Sequence, residues 1–264
     1  MKDKEIRTVI FTDLDGSLLN EKYDFQDVKP IIERLVASGV PIVFCSSKTR
    51  AEIEFYRKKM GINDPFISES GAAVFIPRGY FQFNYAYTRQ ADSYDVIELG
   101  AAYSIIRKKL VGVKIKSASK IIGFGDMTKE EIAKDSGLPL ELAKLAKRRE
   151  YDEPFRIVDG NEKEILNMIS EEGLRYTQGG RYFHLTGNSD KGKAVAILKG
   201  LYSERFGKVK TLGIGDSLND LSMLEVVDIP IFVRETNWKH ARCAVWKEIL
   251  NQIPASKSAK NRGV

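Results

Sequence analysis

The chain has 264 residues, 43% of them hydrophobic and 30% charged, which is enough apolar material for a sizeable core and too much for a disordered tract. Two cysteines, Cys45 and Cys243, and two histidines, His184 and His240, exclude a disulfide framework and a multi-histidine metal site, so carboxylates, hydroxyls and lysines must carry any chemistry. The net charge of +6, from 42 basic and 36 acidic residues, favours anionic partners, but the charges are interspersed and form no basic stripe of the kind that tracks nucleic acid.

No apolar run approaches the ~18 residues of a membrane span, and Met1 to Glu5 lacks the apolar centre of a signal peptide. A soluble, cytoplasmic protein with neither a membrane nor a nucleic-acid partner is expected, and its length suggests two domains. In chain order, Thr8 to Thr12 reads as a buried strand that stops at Asp13-Leu14-Asp15-Gly16. Val28 to Ala37 has helical spacing closed by Gly39, Val40 to Cys45 is a second strand, and Ala51 to Met60 is a helix stopped by Gly61. Strand, helix, strand, helix is the signature of a parallel sheet.

The middle of the chain has a different texture. Helices are predicted over Ser93 to Leu110, Leu140 to Arg149 and Glu162 to Glu171, with a strand over Phe155 to Val158. Leu174 to Gln178 and Tyr182 to Leu185 flank Gly179-Gly180, a hairpin signal. The parallel pattern then returns: a helix over Lys193 to Tyr202, a strand over Thr211 to Ile214, a helix over Leu218 to Glu225 and a strand over Val226 to Val233. The expected fold is therefore α/β, a doubly wound parallel-sheet core of residues 1–82 and 187–264 with an α+β insert from Phe83 to Thr186. The tail from Pro254 has no apolar period and is expected to fray.

Asp13 and Asp15 stand two apart at the carboxyl end of a buried strand, where open α/β sheets place ligands. Such close carboxylates repel unless a proton or cation separates them, and Mg2+, which takes oxygen ligands, would do so. An acidic turn is the bland alternative. A second strand runs into Gly215-Asp216-Ser217-Leu218-Asn219-Asp220 on the same rim of the sheet, where Asp216 could complete the metal site with Asp13 and Asp15, or cap a helix. Ser46 ends the second strand and Lys191 precedes a helix, placing a hydroxyl and an ammonium for a phosphoryl group. Together these residues form a kit for phosphoryl transfer.

These motifs, in this order, resemble those of the haloacid-dehalogenase-like phosphatases, and the insert resembles the large α/β cap of the Cof-like sugar phosphatases. Ser46-Ser47-Lys48-Thr49-Arg50, Glu69-Ser70-Gly71-Ala72, Asp152-Glu153-Pro154-Phe155 and Arg181 to Gly187 leading into Asp190-Lys191-Gly192-Lys193 are similar to the mannosylphosphoglycerate branch. Ser46-Ser47-Lys48 departs from the Thr-Gly-Arg of the wider group and fits that branch. The resemblance implies a phosphatase acting on a phosphorylated sugar, with Asp13 as nucleophile and Asp15 as acid and base. It implies Mg2+ held by Asp13, Asp15 and Asp216, with Asn219 and Asp220 ordering its surroundings and Ser46 and Lys191 on the phosphate. A substrate carboxylate needs another cation, for which Lys48, Arg50 and Arg181 are the candidates.

Gly187 to Lys193 has the spacing of a P-loop, but Ala194 replaces the metal-binding hydroxyl and the preceding strand belongs to the antiparallel insert. Gly123-Phe124-Gly125 reads as a loop, His184 as a structural strand histidine, and Lys147-Arg148-Arg149 as a solvated helix end.

Overall fold

A computed structural model describes residues 6–179, 181–233 and 238–253, so the tail from Pro254 lies outside the described residues. The chain begins with β1 (Arg7–Thr12), α1 (Lys29–Ala37), β2 (Ile42–Phe44), α2 (Arg50–Met60) and β3 (Phe66–Ser68). Strands β4 (Ala73–Pro77), β5 (Arg89–Ala91) and β6 (Tyr94–Glu98) follow, then α3 (Tyr103–Ser117), β7 (Lys120–Gly123), α4 (Lys129–Ser136) and α5 (Leu140–Ala146). The rest is β8 (Glu153–Asp159), α6 (Glu162–Glu171), β9 (Arg175–Gly179), β10 (Tyr182–Thr186), α7 (Lys191–Phe206), β11 (Val209–Gly215), α8 (Leu221–Val226), β12 (Ile229–Phe232) and α9 (Trp238–Gln252).

The first sheet has the order β12-β11-β1-β2, all parallel. Val9, Ile10 and Phe11 are fully buried, as expected of a central parallel strand covered on both faces. Register decides the position of the site: Thr12 lies opposite Ile214, and the Asp13 N–H donates to the Ile214 carbonyl at 2.9 Å, so Asp13 and Asp216 emerge side by side. A bridge between Cys45 and Ile67 joins β2 to β3 and extends this layer with the antiparallel strands β3-β4-β6-β5.

A third sheet, β7-β8-β10-β9, is antiparallel throughout. Its back packs on α3 and α6 through Ile106, Leu110, Phe155, Ile165, Ile169, Phe183 and Leu185. Phe124, Ile132, Leu142 and Ala143, around α4 and α5, share one apolar cluster with Ile53 and Tyr56 of α2, which seats this cap on the core.

The helix predicted from Ser93 is corrected: Tyr94–Glu98 is a strand, and the helix starts at Tyr103 and runs to Ser117. Tyr94 packs edge-on against Phe66 and Phe75 at 5.4 and 5.8 Å, and β6 covers the edge of β4 that would otherwise stay unpaired, so tertiary pairing overrides the helical spacing. Apolar period in the sequence does not mark the short strands β3, β4, β5 and β7 or helix α4. The expected insert boundary at Phe83 falls ahead of the β5–β6 hairpin, which pairs with β4. The two chain crossings run together further on, where a Cβ on Gly187 would lie 2.6 Å from the Ala101 nitrogen. The hairpin at Gly179-Gly180 forms, with Gly179 paired to Tyr182 and Arg181 in the connection; Gly180 is outside the described residues.

Candidate active site

A cleft of about 410 Å3 lies between the carboxyl rim of the parallel sheet and the cap. Its floor begins with Asp13, immediately after β1. Gly16 has φ +79, which lets the chain fold back so that the Leu18 and Leu19 N–H groups donate to the Leu14 carbonyl at 2.9 and 2.6 Å. This tight loop keeps both Asp13 and Asp15 on the cleft.

Lys191 opens α7, whose N-cap is Asp190, and its ammonium reaches back under the floor. It donates to Asp13 Oδ1 at 2.7 Å and to Asp220 Oδ1 at 2.6 Å, and its side chain is 1% exposed. The Asp220 Oδ2 accepts from the Asp216 N–H, the Ser217 N–H and the Ser217 hydroxyl, each at 3.0 Å. With its oxygens so engaged, Asp220 braces the loop and Lys191. The single Ser217 hydroxyl proton is shared with Asn219 Oδ1, 2.6 Å from Oγ, which fixes that side chain at the mouth of the cleft.

Carboxylate oxygens of Asp13, Asp216 and Asp220 lie within 4.8 Å of one another. Burial pushes the Asp13 carboxyl up, and repulsion from Asp220, Asp216 and Asp15 adds to it while Lys191 pulls the other way. Burial, then Asp220, pushes Asp216 up to about 7. Hard oxygen donors that resist ionising together fit a divalent cation such as Mg2+, whose charge removes the repulsion.

Asp15 is held differently. Its Oδ2 pairs with the Lys48 ammonium at 2.8 Å, while its Oδ1 has no hydrogen-bond partner among the described residues. Lys48 is buried, also 3.7 Å from Glu52, and its charge lies over the Tyr23 ring at 5.2 Å. Glu52 closes a capping box with Thr49 at the start of α2, so the same carboxylate starts the helix and anchors Lys48.

The cap supplies the opposite wall, with Phe124, Leu138, Arg149, Pro154, Arg181, Tyr182 and His184. Arg149 corrects the reading of a solvated helix end: Lys147 and Arg148 are exposed, but the Arg149 side chain is 5% exposed. Its guanidinium donates to the Ser47 carbonyl at 2.8 Å, the Ala146 carbonyl at 2.9 Å and Asp152 at 3.2 Å, tying cap to core. A second tie comes from Glu69, whose buried carboxylate accepts from the Glu150 and Tyr151 N–H groups at 2.9 and 2.8 Å. Burial pushes Glu69 up to about 8, and Glu69 and Ser70 both have positive φ, a backbone strain held by these bonds.

Of the residues singled out in the sequence, Asp13, Asp15, Lys48, Arg181, Asp216 and Asn219 line the cleft. Ser46, Lys191 and Asp220 are buried and do not line it, although Lys191 touches its floor through Asp13. The Ser46 Oγ accepts a long bond of 3.4 Å from the Lys48 N–H. Arg50 is corrected: it pairs with Asp92 at 2.7 Å and Glu150 at 3.1 Å, away from the cleft. The preceding strand of the apparent P-loop, β10, is flanked by antiparallel partners, and Asp190 caps α7 at the Lys193 N–H. The sequence reading missed Arg149, Tyr23 and Glu52. For Glu52 a signal was present, because Thr49-Arg50-Ala51-Glu52 is a capping-box pattern.

The model of one family, described as haloacid dehalogenase-like hydrolase, matches residues 10–239. The chain is 47% identical over 253 residues to a Persephonella marina protein named glucosyl-3-phosphoglycerate/mannosyl-3-phosphoglycerate phosphatase, covering 94% of this chain and 93% of that one. It is 42% identical over 234 residues to a Pyrococcus horikoshii protein named mannosyl-3-phosphoglycerate phosphatase, covering 89% and 93%. Its fold is similar to the crystal structure of a haloacid dehalogenase-like hydrolase from Bacteroides thetaiotaomicron, with a TM-score of 0.63, 14% identity and coverage of 92% and 99%.

Proposed function

The chain belongs to the haloacid dehalogenase-like hydrolases, and from that premise we propose that it hydrolyses mannosyl-3-phosphoglycerate to mannosylglycerate and phosphate. The observation that carries the reading is the pairing of a phosphoryl-transfer floor, Asp13 with Lys191, with a cap wall that holds an exposed arginine, Arg181. The substrate has two anionic groups, a phosphate and a carboxylate, and the site offers a cation for each, Lys191 beneath the floor and Arg181 on the wall. Lys48 is occupied by Asp15 and Glu52, and Arg50 by Asp92 and Glu150, so the carboxylate falls to Arg181, which gives one N–H to the Asp135 carbonyl and pairs with no carboxylate among the described residues.

Asp13 attacks phosphorus and forms an aspartyl-phosphate as the bond to the glycerate oxygen breaks. Asp15, held by Lys48, protonates the departing oxygen and then takes a proton from the water that releases phosphate from Asp13. The Lys191 ammonium has a third N–H beyond those given to Asp13 and Asp220, and with the Ser46 hydroxyl it holds phosphoryl oxygens. The carboxylates of Asp13 and Asp216 with the Asp15 carbonyl would hold Mg2+, with Asn219 and Asp220 ordering that loop. When bound, the ion neutralises phosphate charge.

On this reading the chain comprises a core and a specificity cap, with the crossings at Gly100–Ala101 and Gly187 as the boundary and the β5–β6 hairpin after Phe83 belonging to the core. Among the described residues no helix is long and apolar enough to cross a membrane. Purified protein with Mg2+ is expected to show a higher kcat/KM for mannosyl-3-phosphoglycerate than for mannose 6-phosphate, with glucosyl-3-phosphoglycerate assayed beside them. A preference for mannose 6-phosphate would overturn the substrate assignment and leave a hexose-phosphate phosphatase.

A further inference from the structure

Along β10, Tyr182 and His184 alternate with Phe183 and Leu185, so the first pair faces the cleft while the second fills the apolar centre of the cap. His184 pairs across the sheet with Pro154, another cleft residue. Behind the ring lies Asp152, fully buried, with Oδ2 2.7 Å from His184 Nδ1 and 3.2 Å from Arg149 Nη1. An ionised carboxylate only accepts, so Nδ1 carries a proton. With Nδ1 directed at Asp152, the other ring nitrogen, Nε2, is left for a partner in the cleft. Nε2 has no protein partner among the described residues and is not sealed from solvent, whereas the neighbouring Tyr182 hydroxyl is spent on Asp135 at 2.6 Å.

We infer that His184 reads the sugar: its Nε2 hydrogen-bonds a ring hydroxyl of the substrate, in an orientation that Asp152 and Arg149 fix from behind. The chemistry selects this partner. A hydroxyl can donate to or accept from a ring nitrogen, whereas the phosphate and the carboxylate already have Lys191 and Arg181 as partners. The inference rests on the function proposed above only to the extent that the substrate carries a sugar beyond its phosphate.

Two variants separate the two faces of the ring. In His184→Asn the side-chain amide can still donate to Asp152 but nothing replaces Nε2; in His184→Gln an amide oxygen can reach the place of Nε2. Both are assayed on the sugar phosphate that the wild type turns over best and on p-nitrophenyl phosphate, which has no sugar. Losing one neutral hydrogen bond predicts a roughly 3- to 10-fold fall in kcat/KM on the sugar phosphate for His184→Asn, expressed as a raised KM. Turnover of p-nitrophenyl phosphate stays at the wild-type level, and His184→Gln recovers part of the loss. An equal loss on both substrates would make His184 structural, and no loss in His184→Asn would remove it from recognition. A wild type that prefers another sugar phosphate ends the mannosyl-3-phosphoglycerate assignment, while the ratio between the two substrates still decides His184.

Discussion

On the core side of the cleft, Lys191 ties Asp13 and Asp220 together by bonds of 2.7 and 2.6 Å, sealed from water. On the cap side Arg181 stands exposed at a hairpin connection and His184 keeps one ring nitrogen open. The floor spends most of its hydrogen-bonding capacity on itself and keeps the third Lys191 N–H for the phosphoryl group, while the wall keeps Arg181 and His184 for the rest of the substrate. Preorganised charge is what a phosphoryl transition state requires, because nothing has to reorganise as charge develops. Uncommitted donors and acceptors are what recognition requires, since a group already satisfied gains little from a ligand. Chemistry therefore sits in the floor and choice of substrate in the wall.

The sharpest way to break this comparison is at the nucleophile. Asp13→Asn keeps an acceptor for Lys191 but cannot form the covalent intermediate, so phosphate release should fall by about 10^4-fold or more with the fold retained. Asp15→Asn should slow both formation and hydrolysis of the intermediate, visible as separate phases in a rapid-quench assay. Near-wild-type turnover by Asp13→Asn would dissolve the distinction between floor and wall.

Removing the cation tests the floor a second way. Exhaustive chelation should stop phosphate release, and Mg2+ should restore it; full activity after chelation would contradict the proposed metal site. The pH dependence has a definite sign. Asp216 holds its proton up to about 7 when folded against an ordinary carboxylate value of 3.8, so between these values the unfolded chain binds fewer protons at this group. Its contribution to the stability of the metal-free protein accordingly falls as pH rises from about 4 to 7. Protons and Mg2+ compete for the same oxygens, so the rise in Tm on adding Mg2+ should be small at pH 5 and larger at pH 8. Thermal melts at a series of pH values, with chelator and with Mg2+, measure it.

The smallest effect belongs to the wall. Arg181→Ala should lower kcat/KM for mannosyl-3-phosphoglycerate by about 10-fold, the low end for a charge-assisted contact because the side chain is exposed. Mannose 6-phosphate, which has no carboxylate, should be little affected. An equal loss on both would withdraw Arg181 from the carboxylate and leave the floor as it stands.

The local motifs explain why one side of the cleft was easier to read. Asp13, Asp15 and the Gly215-to-Asp220 loop follow apolar strands, and chain order alone places both at one rim of a parallel sheet, so period, strand end and glycine turn sufficed for the core and its acidic centre. Arg149 was legible only as the end of a basic run, because nothing nearby in sequence says that the Ser47 carbonyl, 102 positions earlier, would lie 2.8 Å away. The β5–β6 hairpin was hidden for a similar reason: its residues take their conformation from the open edge of β4. His184 was visible as a strand residue, but which face it occupied depended on pairing with β8 and on Asp152. By itself the sequence determined the parallel core and the two acidic loops, since each follows from local apolar period and turn chemistry. Only the tertiary structure decided which cations are spent in ion pairs, which carboxylates burial pushes up, and which cap side chains face the cleft. Those properties are set by burial and by partners far away along the chain.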